Sequence, residues 1–257
     1  MLSVITQVIK TIQGEGTTVG EPVTLIRFNG CNISCSYCDT KWANKKQINF
    51  KKFESDGIIN TIPPYEINDN NIMDFLKYLE LFIGITRTIL LTGGEPLLYT
   101  GTIERIINYF HVFHKYEIET NGILLPNVID IIGLCNNKFE DRIQLNISPK
   151  VYEFSDKYGD DFKNVVNDLK QMDIKHYYKF LYRQDLEDDL VSFISEKRIS
   201  RDRVLMSPMT PPLSIKNFEE VFKHNCLQTV KFCIHENYRY SPREHVFLFG
   251  TDREEIL

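Results

Sequence analysis

Apolar and polar positions along the chain switch between two periods. Six short runs are rich in β-branched and aromatic residues and are bounded by Gly, Pro, Asn or polar turn residues: Val23–Phe28, Thr88–Leu91, Tyr116–Glu119, Ile143–Ile147, Tyr177–Leu181 and Val204–Met206. Between them, apolar residues recur at helical spacing, with Ile72, Phe75, Leu76 and Leu79 in Asn70–Phe82, and Ile103, Ile106, Ile107 and Phe110 in Thr102–Phe113. Phe162–Met172 and Leu186–Ser195 repeat this pattern, and Leu213–Lys223 carries it more weakly through Ile215, Phe218 and Phe222. Strand alternating with helix predicts an α/β chain of parallel strands joined by crossover helices. Most of the runs read as inner strands buried on both faces. Six units are too few to close an eight-stranded barrel. An open (β/α) barrel and a doubly wound open sheet both satisfy the count, and both gather ligands at the carboxyl ends of the strands. Residues Ala43–Ile67 break the rhythm with four lysines, Pro63-Pro64 and no clear period, which predicts an insertion or loop holding at most one short helix. No repeat, low-complexity tract or linker divides the chain, so a single domain over residues 1–257 is expected.

Composition narrows the class. The chain has 257 residues, 42% hydrophobic and 25% charged, which excludes a disordered or fibrous protein. Thirty basic and 35 acidic residues give a net charge of −5, so there is no broad cationic footprint for duplex DNA or an anionic membrane. No stretch of about 18 apolar residues is present, and Met1–Gln7 lacks the basic-then-apolar pattern of an export signal. Three of six cysteines fall within eight residues, while Cys135, Cys226 and Cys233 are scattered. Without an export signal, such clustering favours metal ligation or redox chemistry in a reducing cytoplasm over structural disulfides.

The cluster reads Gly30-Cys31-Asn32-Ile33-Ser34-Cys35-Ser36-Tyr37-Cys38-Asp39-Thr40, a C-x3-C-x2-C spacing on the loop after the first run. Thiolates are soft ligands suited to iron–sulfur clusters, zinc or Cu(I). Structural zinc usually takes four protein ligands. Three cysteines with no neighbouring fourth ligand therefore suggest a [4Fe–4S] cluster with one open iron. Zinc completed by a remote Cys226, Cys233 or His235 is the alternative. Further motifs stand at the ends of later runs. Thr92-Gly93-Gly94-Glu95-Pro96 allows close backbone approach to a ligand and offers Glu95 as an acceptor for an ammonium group. Glu119-Thr120-Asn121-Gly122 and Ser148-Pro149-Lys150 end the third and fourth runs, and Ser148 and Lys150 could meet a carboxylate or ribose there. Each of these two also reads as an ordinary polar turn.

The cysteine spacing, with aromatic Tyr37 before the last cysteine, resembles the radical S-adenosylmethionine (SAM) superfamily. Ile12-Gln13-Gly14-Glu15-Gly16, Arg27, Cys38-Asp39-Thr40, Gly93-Gly94-Glu95-Pro96, Glu119-Thr120-Asn121-Gly122 and Ser148-Pro149-Lys150 occur in the order found in the 7-carboxy-7-deazaguanine synthase (QueE) family, which this chain resembles from residue 12 to 150 and more loosely beyond. The resemblance implies a partial, open (β/α)6 TIM-like barrel. It also implies a SAM- and Mg²⁺-dependent conversion of 6-carboxy-5,6,7,8-tetrahydropterin to 7-carboxy-7-deazaguanine with loss of ammonia, in deazapurine (queuosine) biosynthesis. Cys31, Cys35 and Cys38 would hold the cluster. Tyr37, Cys38, Asp39, Gly93, Gly94, Glu95, Glu119, Asn121, Ser148, Pro149 and Lys150 would bind SAM. Ile12, Gln13, Gly14, Glu15, Arg27, Thr92 and His245 would bind the pterin, with Arg27 on its carboxylate and Thr40 on Mg²⁺. A homodimer and an electron donor such as flavodoxin or ferredoxin are implied as well. Ser241–His245 resembles the family's His-containing end, whereas Val246–Leu257 is an additional tail. Another radical SAM enzyme, such as a glycyl-radical activase, and a non-catalytic zinc or redox-sensing module are the rival readings.

Overall fold

Successive side chains of a strand point to opposite faces, and in this protein the two faces differ in chemistry. Strand β1 spans Ser3–Ile12, β2 Pro22–Phe28, β5 Thr88–Gly93, β6 Lys115–Thr120, β7 Ile143–Ile147, β8 Lys175–Tyr182 and β9 Val204–Pro208. Ile26 and Phe28, Ile89 and Leu91, Tyr116 and Ile118, Ile143 and Leu145, Tyr178 and Phe180, and Val204 and Met206 all enter one large apolar cluster. The intervening residues face the other way. At the base of that inner face, Ile9, Val23, Leu25 and Leu90 form a small separate cluster. Above them the inner positions turn polar, with Arg27, Glu117, Gln144 and Asn146 all buried.

The structure is a computed structural model and describes residues 3–38, 40–41, 61–62, 65–110, 114–129, 142–212 and 214–249. The strands form one ten-stranded sheet in the order β10-β9-β8-β7-β6-β5-β2-β1-β3, where β3 is Thr61–Ile62 and β10 is Arg239–Tyr240, and β4 (Tyr65–Ile67) also pairs with β1. From β2 through β10 the pairings are parallel, whereas β1 runs antiparallel to β2, β3 and β4. The path ends at β3 on one side and β10 on the other, which makes the sheet open. All six strand-like runs lie in β2, β5, β6, β7, β8 and β9.

The helices cover the outer face. Helix α1 (Ile72–Ile83) buries Phe75 and Leu79, and α2 (Thr100–Tyr109) buries Ile103, Ile106 and Ile107. Residues 125–129 (α3) and Val151–Phe154 (α4) are short turns of helix. Helix α5 (Asp160–Gln171) buries Phe162, Val165, Val166 and Leu169, and α6 (Glu187–Glu196) buries Leu190, Phe193 and Ile194. Each such side chain contributes about 1.5–3 kcal/mol when fully withdrawn from water.

Among the departures from the sequence expectation are four elements, α7 (Phe218–Glu236), β1, β3 and β4. The weak helix at Leu213–Lys223 is instead α7, Phe218–Glu236, which ends at Asn237 in the left-handed conformation. Its pattern is faint because Phe222, Phe232 and Cys233 are buried while Leu227 and Ile234 face solvent. The unassigned N-terminal residues form the ten-residue β1. A register shift between Ile5 and Gln7 breaks its period of two, turning Ile5 and Val8 to the outer core while Ile9 joins the inner cluster. The end of the expected 43–67 loop is not loop, since Thr61–Ile62 and Tyr65–Ile67 are strands paired with β1. The short helix expected earlier in that segment, and residues 250–257 of the C-terminal tail, lie outside the described residues. Helix α8, Glu244–Phe249, occupies the start of that tail. Among the described residues, no helix is long and apolar enough to cross a membrane.

Candidate active site

A cavity of about 590 Å³ opens at the carboxyl ends of the parallel strands, within the range that holds small-molecule ligands. Cys31, Cys35, Tyr37, Cys38 and Thr40 line one wall, and Gly93, Gly94, Asn121, Ser148, Pro149 and Lys150 lie beside them. Ile12, Gln13, Gly14, Glu15, Arg27, Thr92, Glu119 and His245 also line it, together with Lys179 and Arg243. Motifs scattered over more than 230 positions thus converge on one space. Of the residues expected there, Glu95 faces elsewhere and Asp39 lies outside the described residues.

The cysteine wall is tied to its neighbours through the backbone. Gly94 N donates to Phe28 O at 3.1 Å, and Glu95 N donates to Gly30 O at 2.8 Å, which fixes the glycine pair against the end of β2. Gly93 has φ +143, and a Cβ there would overlap the Phe28 backbone, so only glycine fits. The side chain of Glu95 is fully buried and turns beneath the cavity floor. It accepts from Thr120 Oγ1 at 2.8 Å, Asn121 N at 2.8 Å and Leu97 N at 3.0 Å. Burial raises its pKa to about 7 against those hydrogen bonds. The Glu95 carboxylate, expected to meet an ammonium group, ties the glycine turn to the end of β6 through these three donors.

The turns after β6 and β7 are joined in the same way. Ser148 N donates to Thr120 O at 2.7 Å. Tyr158 OH donates to Asn121 O at 2.9 Å and accepts from Lys150 N at 2.9 Å. Asn121 Nδ2 reaches Cys31 Sγ at 3.8 Å. Glu153 of α4 clasps the loop between the second and third cysteines, taking Ser36 N at 2.9 Å and the Ser36 hydroxyl.

All five cysteines among the described residues are free. Burial raises the Cys31 thiol pKa and pushes Cys35 up to about 11, so binding a metal centre there releases their protons. Cys226 and Cys233 sit on α7, and neither they nor His235 line the cavity, so the remote fourth zinc ligand is absent from it. Among the described residues, no three His, Cys, Asp or Glu side chains close around a single ion. Mononuclear zinc demands such closure, with every sulfur about 2.3 Å from one metal. A cubane gives each thiolate its own iron and tolerates a wider triangle. Three cavity-lining thiols, with none of Cys226, Cys233 and His235 among the described lining residues, fit an iron–sulfur cluster with an open position.

The opposite wall is a buried charge network that the sequence motifs did not reveal. Lys179 Nζ lies 2.6 Å from Glu15 Oε2 and 2.7 Å from Glu119 Oε2. Arg243 Nε donates to Glu15 Oε1 at 2.8 Å and its guanidinium also reaches the Thr210 hydroxyl, while His245 Nε2 stands 3.6 Å from Glu15 Oε1. Gln13 Nε2 donates to Glu117 Oε2 at 2.7 Å, and Asn146 Nδ2 bridges Glu117 and Glu119 at 3.1 and 3.0 Å. Burial opposes ionisation of Glu15, yet Lys179, Arg243 and His245 outweigh it and hold that carboxyl well below its usual range. Arg27 is buried on β2, where its Nε donates to Gln7 Oε1 at 3.2 Å. The C-terminal segment is strapped over this wall, with Glu244 N on Gly14 O at 2.9 Å and Ser241 Oγ accepting from Gly16 N at 2.8 Å. The one available signal for Lys179 was a lysine in the middle of an aromatic strand. Such a residue needs a counter-ion once the strand is buried.

An open α/β sheet with a three-cysteine loop at its carboxyl rim defines a radical SAM enzyme, and residues 25–175 match the Radical SAM superfamily. The chain belongs to that superfamily, whose members use a [4Fe–4S] cluster and SAM. It is 28% identical over 226 residues to 7-carboxy-7-deazaguanine synthase of Clostridium acetobutylicum, a match covering 86% of this chain and 87% of the relative. It is 26% identical over 250 residues to the enzyme of the same name from Buchnera aphidicola, covering 95% and 97%. The fold is similar to the crystal structure of QueE from Escherichia coli, with a TM-score of 0.61, 20% identity and 95% of each chain covered.

Proposed function

We propose that this chain is a 7-carboxy-7-deazaguanine synthase that converts 6-carboxy-5,6,7,8-tetrahydropterin to 7-carboxy-7-deazaguanine and ammonia, as one cytoplasmic radical SAM domain that pairs into a homodimer. The observation that carries this reading is the shared cavity: the three thiols line it together with Gln13, Gly14, Glu15 and Arg27. A cluster held by Cys31, Cys35 and Cys38 would, together with SAM, supply the radical chemistry, with its electron coming from a flavodoxin- or ferredoxin-like protein.

The chain's own residues then bind and orient. The Gly93-Gly94 backbone, Tyr37 and Cys38 would lie against SAM, and Asn121, Ser148, Pro149 and Lys150 would bound its carboxylate and ribose. The Arg27 fork takes the pterin carboxylate bidentately, a contact that a lysine cannot reproduce. Ile12, Gln13, Gly14 and Thr92 bound the pterin ring, and because Gln13 Nε2 is committed to Glu117, the backbone of this turn is what it offers. Thr40 lines the cavity with its hydroxyl 3.7 Å from Cys38 Sγ. One threonine oxygen is a poor lone ligand, so Mg²⁺ at Thr40 relies on substrate oxygens and water. The overall change loses ammonia with no net oxidation, which is compatible with SAM being regenerated each cycle.

Anaerobic incubation with SAM, a reductant, Mg²⁺ and the pterin, followed by mass spectrometry, tests the reading. Product is expected, and deuterium placed on the carbon bearing the carboxylate should appear in recovered SAM. No deazaguanine product from cluster-replete protein overturns the assignment.

A further inference from the structure

Lys179 belongs to none of the motifs that identify the family, yet it lines the cavity. It contacts Glu15 on the loop after β1 and Glu119 at the end of β6, at 2.6 and 2.7 Å. The three side chains are only 11%, 14% and 16% exposed. Burying three charges is costly, and an apolar side chain of similar volume would usually pack there without loss of stability. An ion triad kept at a ligand cavity and spanning three separate segments is better explained by the geometry it imposes.

Resting on the function proposed above, we propose that Lys179 is a positioning residue, which bridges Glu15 and Glu119 and so sets the distance between the pterin-side loop and the SAM-side strand end. The two carboxylates depend on it unequally. Glu15 retains Arg243 at 2.8 Å and has His245 nearby, so it keeps a cation without Lys179. Glu119 would retain only the Asn146 amide at 3.0 Å, with Glu117 held on the same amide as a second negative charge. Loss of the ammonium therefore leaves Glu119 the uncompensated group, and protonation or movement away from the cavity is its relief.

Holoenzyme carrying Lys179→Met, Lys179→Arg or Lys179→Met with Glu119→Gln tests this, with wild type alongside and iron and sulfide content measured on each. Lys179→Met is expected to raise KM for the pterin on the order of tenfold, with a smaller fall in kcat, and to move the acid limb of the kcat/KM profile upward by about one pH unit. Lys179→Arg, which keeps the charge, should recover part of the KM. The double variant should lose the shifted acid limb while keeping the raised KM, since neutrality is restored but the bridge is not. If Lys179→Met does not fold, the double variant decides alone, and a wild-type KM in it overturns the proposal. Wild-type KM and pH profile in Lys179→Met overturn it equally. Absence of product from wild type instead sinks the assigned reaction and this role with it.

Discussion

Arg27 and Cys31 are residues whose chemistry could be read before their surroundings were known. The family resemblance assigns the Arg27 guanidinium to a carboxylate, and the fold buries it on the inner face next to Gln7. Arg27→Lys keeps the charge and loses the fork, so KM for the pterin should rise roughly ten- to a hundredfold, measured in steady-state assays under Mg²⁺. On the proposed reading, Cys31→Ala removes one of the three cluster ligands. Iron and sulfide per chain, assayed after anaerobic reconstitution, should fall well below the wild-type content, together with visible absorbance and SAM cleavage. Glu95 is the opposite case. Its residue type was legible but its direction was not, because the donors that capture it, Thr120 and the Asn121 amide, come from a strand end 25 residues away.

At the scale of elements, the period of two in β2, β5, β6 and β7 was visible as apolar runs because both faces are withdrawn from water. β8 differs: its burial alternates, with Tyr177, Lys179 and Leu181 partly exposed on the inner side. That alternation places Lys179 in the cavity, and its neighbour His176 in the outer layer. His176 Nδ1 pairs with Ile174 O at 2.7 Å while Nε2 is buried without a partner. Burial lowers its pKa. The unfolded chain then binds more protons, so stability falls as pH drops below about 6.5. His176→Phe should flatten that acid-side loss, followed by denaturant midpoints between neutral and mildly acid pH. The turn after β5 is equally specific. Gly93→Ala meets the Phe28 backbone and requires a disfavoured φ, so a loss of at least about 2 kcal/mol is expected in chemical denaturation.

Across the whole molecule, Glu15 draws the two ends of the chain together, reaching Arg243 across 228 positions. Its carboxyl is held well below the usual range by Lys179 and Arg243 despite its burial. A depressed carboxyl stabilises the fold above its unfolded value of about 4.3 and ceases to do so as pH falls through the lower folded value. Glu15→Gln should therefore be less stable than wild type at neutral pH by about 1–3 kcal/mol, and the difference should shrink below roughly pH 4, as acid-denaturation curves of the two proteins would record. The same contact holds the strap over Gly14, where an added Cβ would come within 2.5 Å of the His245 ring.

Local chemistry determined β2 and β5 to β9, most of the helices, the thiol triad and the motifs at successive strand ends, since each depends on periodicity or on residues a few positions apart. Tertiary structure decided what depends on distant partners. An open barrel rather than a doubly wound sheet follows from which strand edges meet. The bulged β1 is paired by β2, β3 and β4, all of which follow it along the chain, the last two by about fifty residues. Glu95 became a strut and Lys179 a bridge because buried charges take whatever opposite charge or donor the fold brings within hydrogen-bonding reach, and no spacing along the chain encodes that distance.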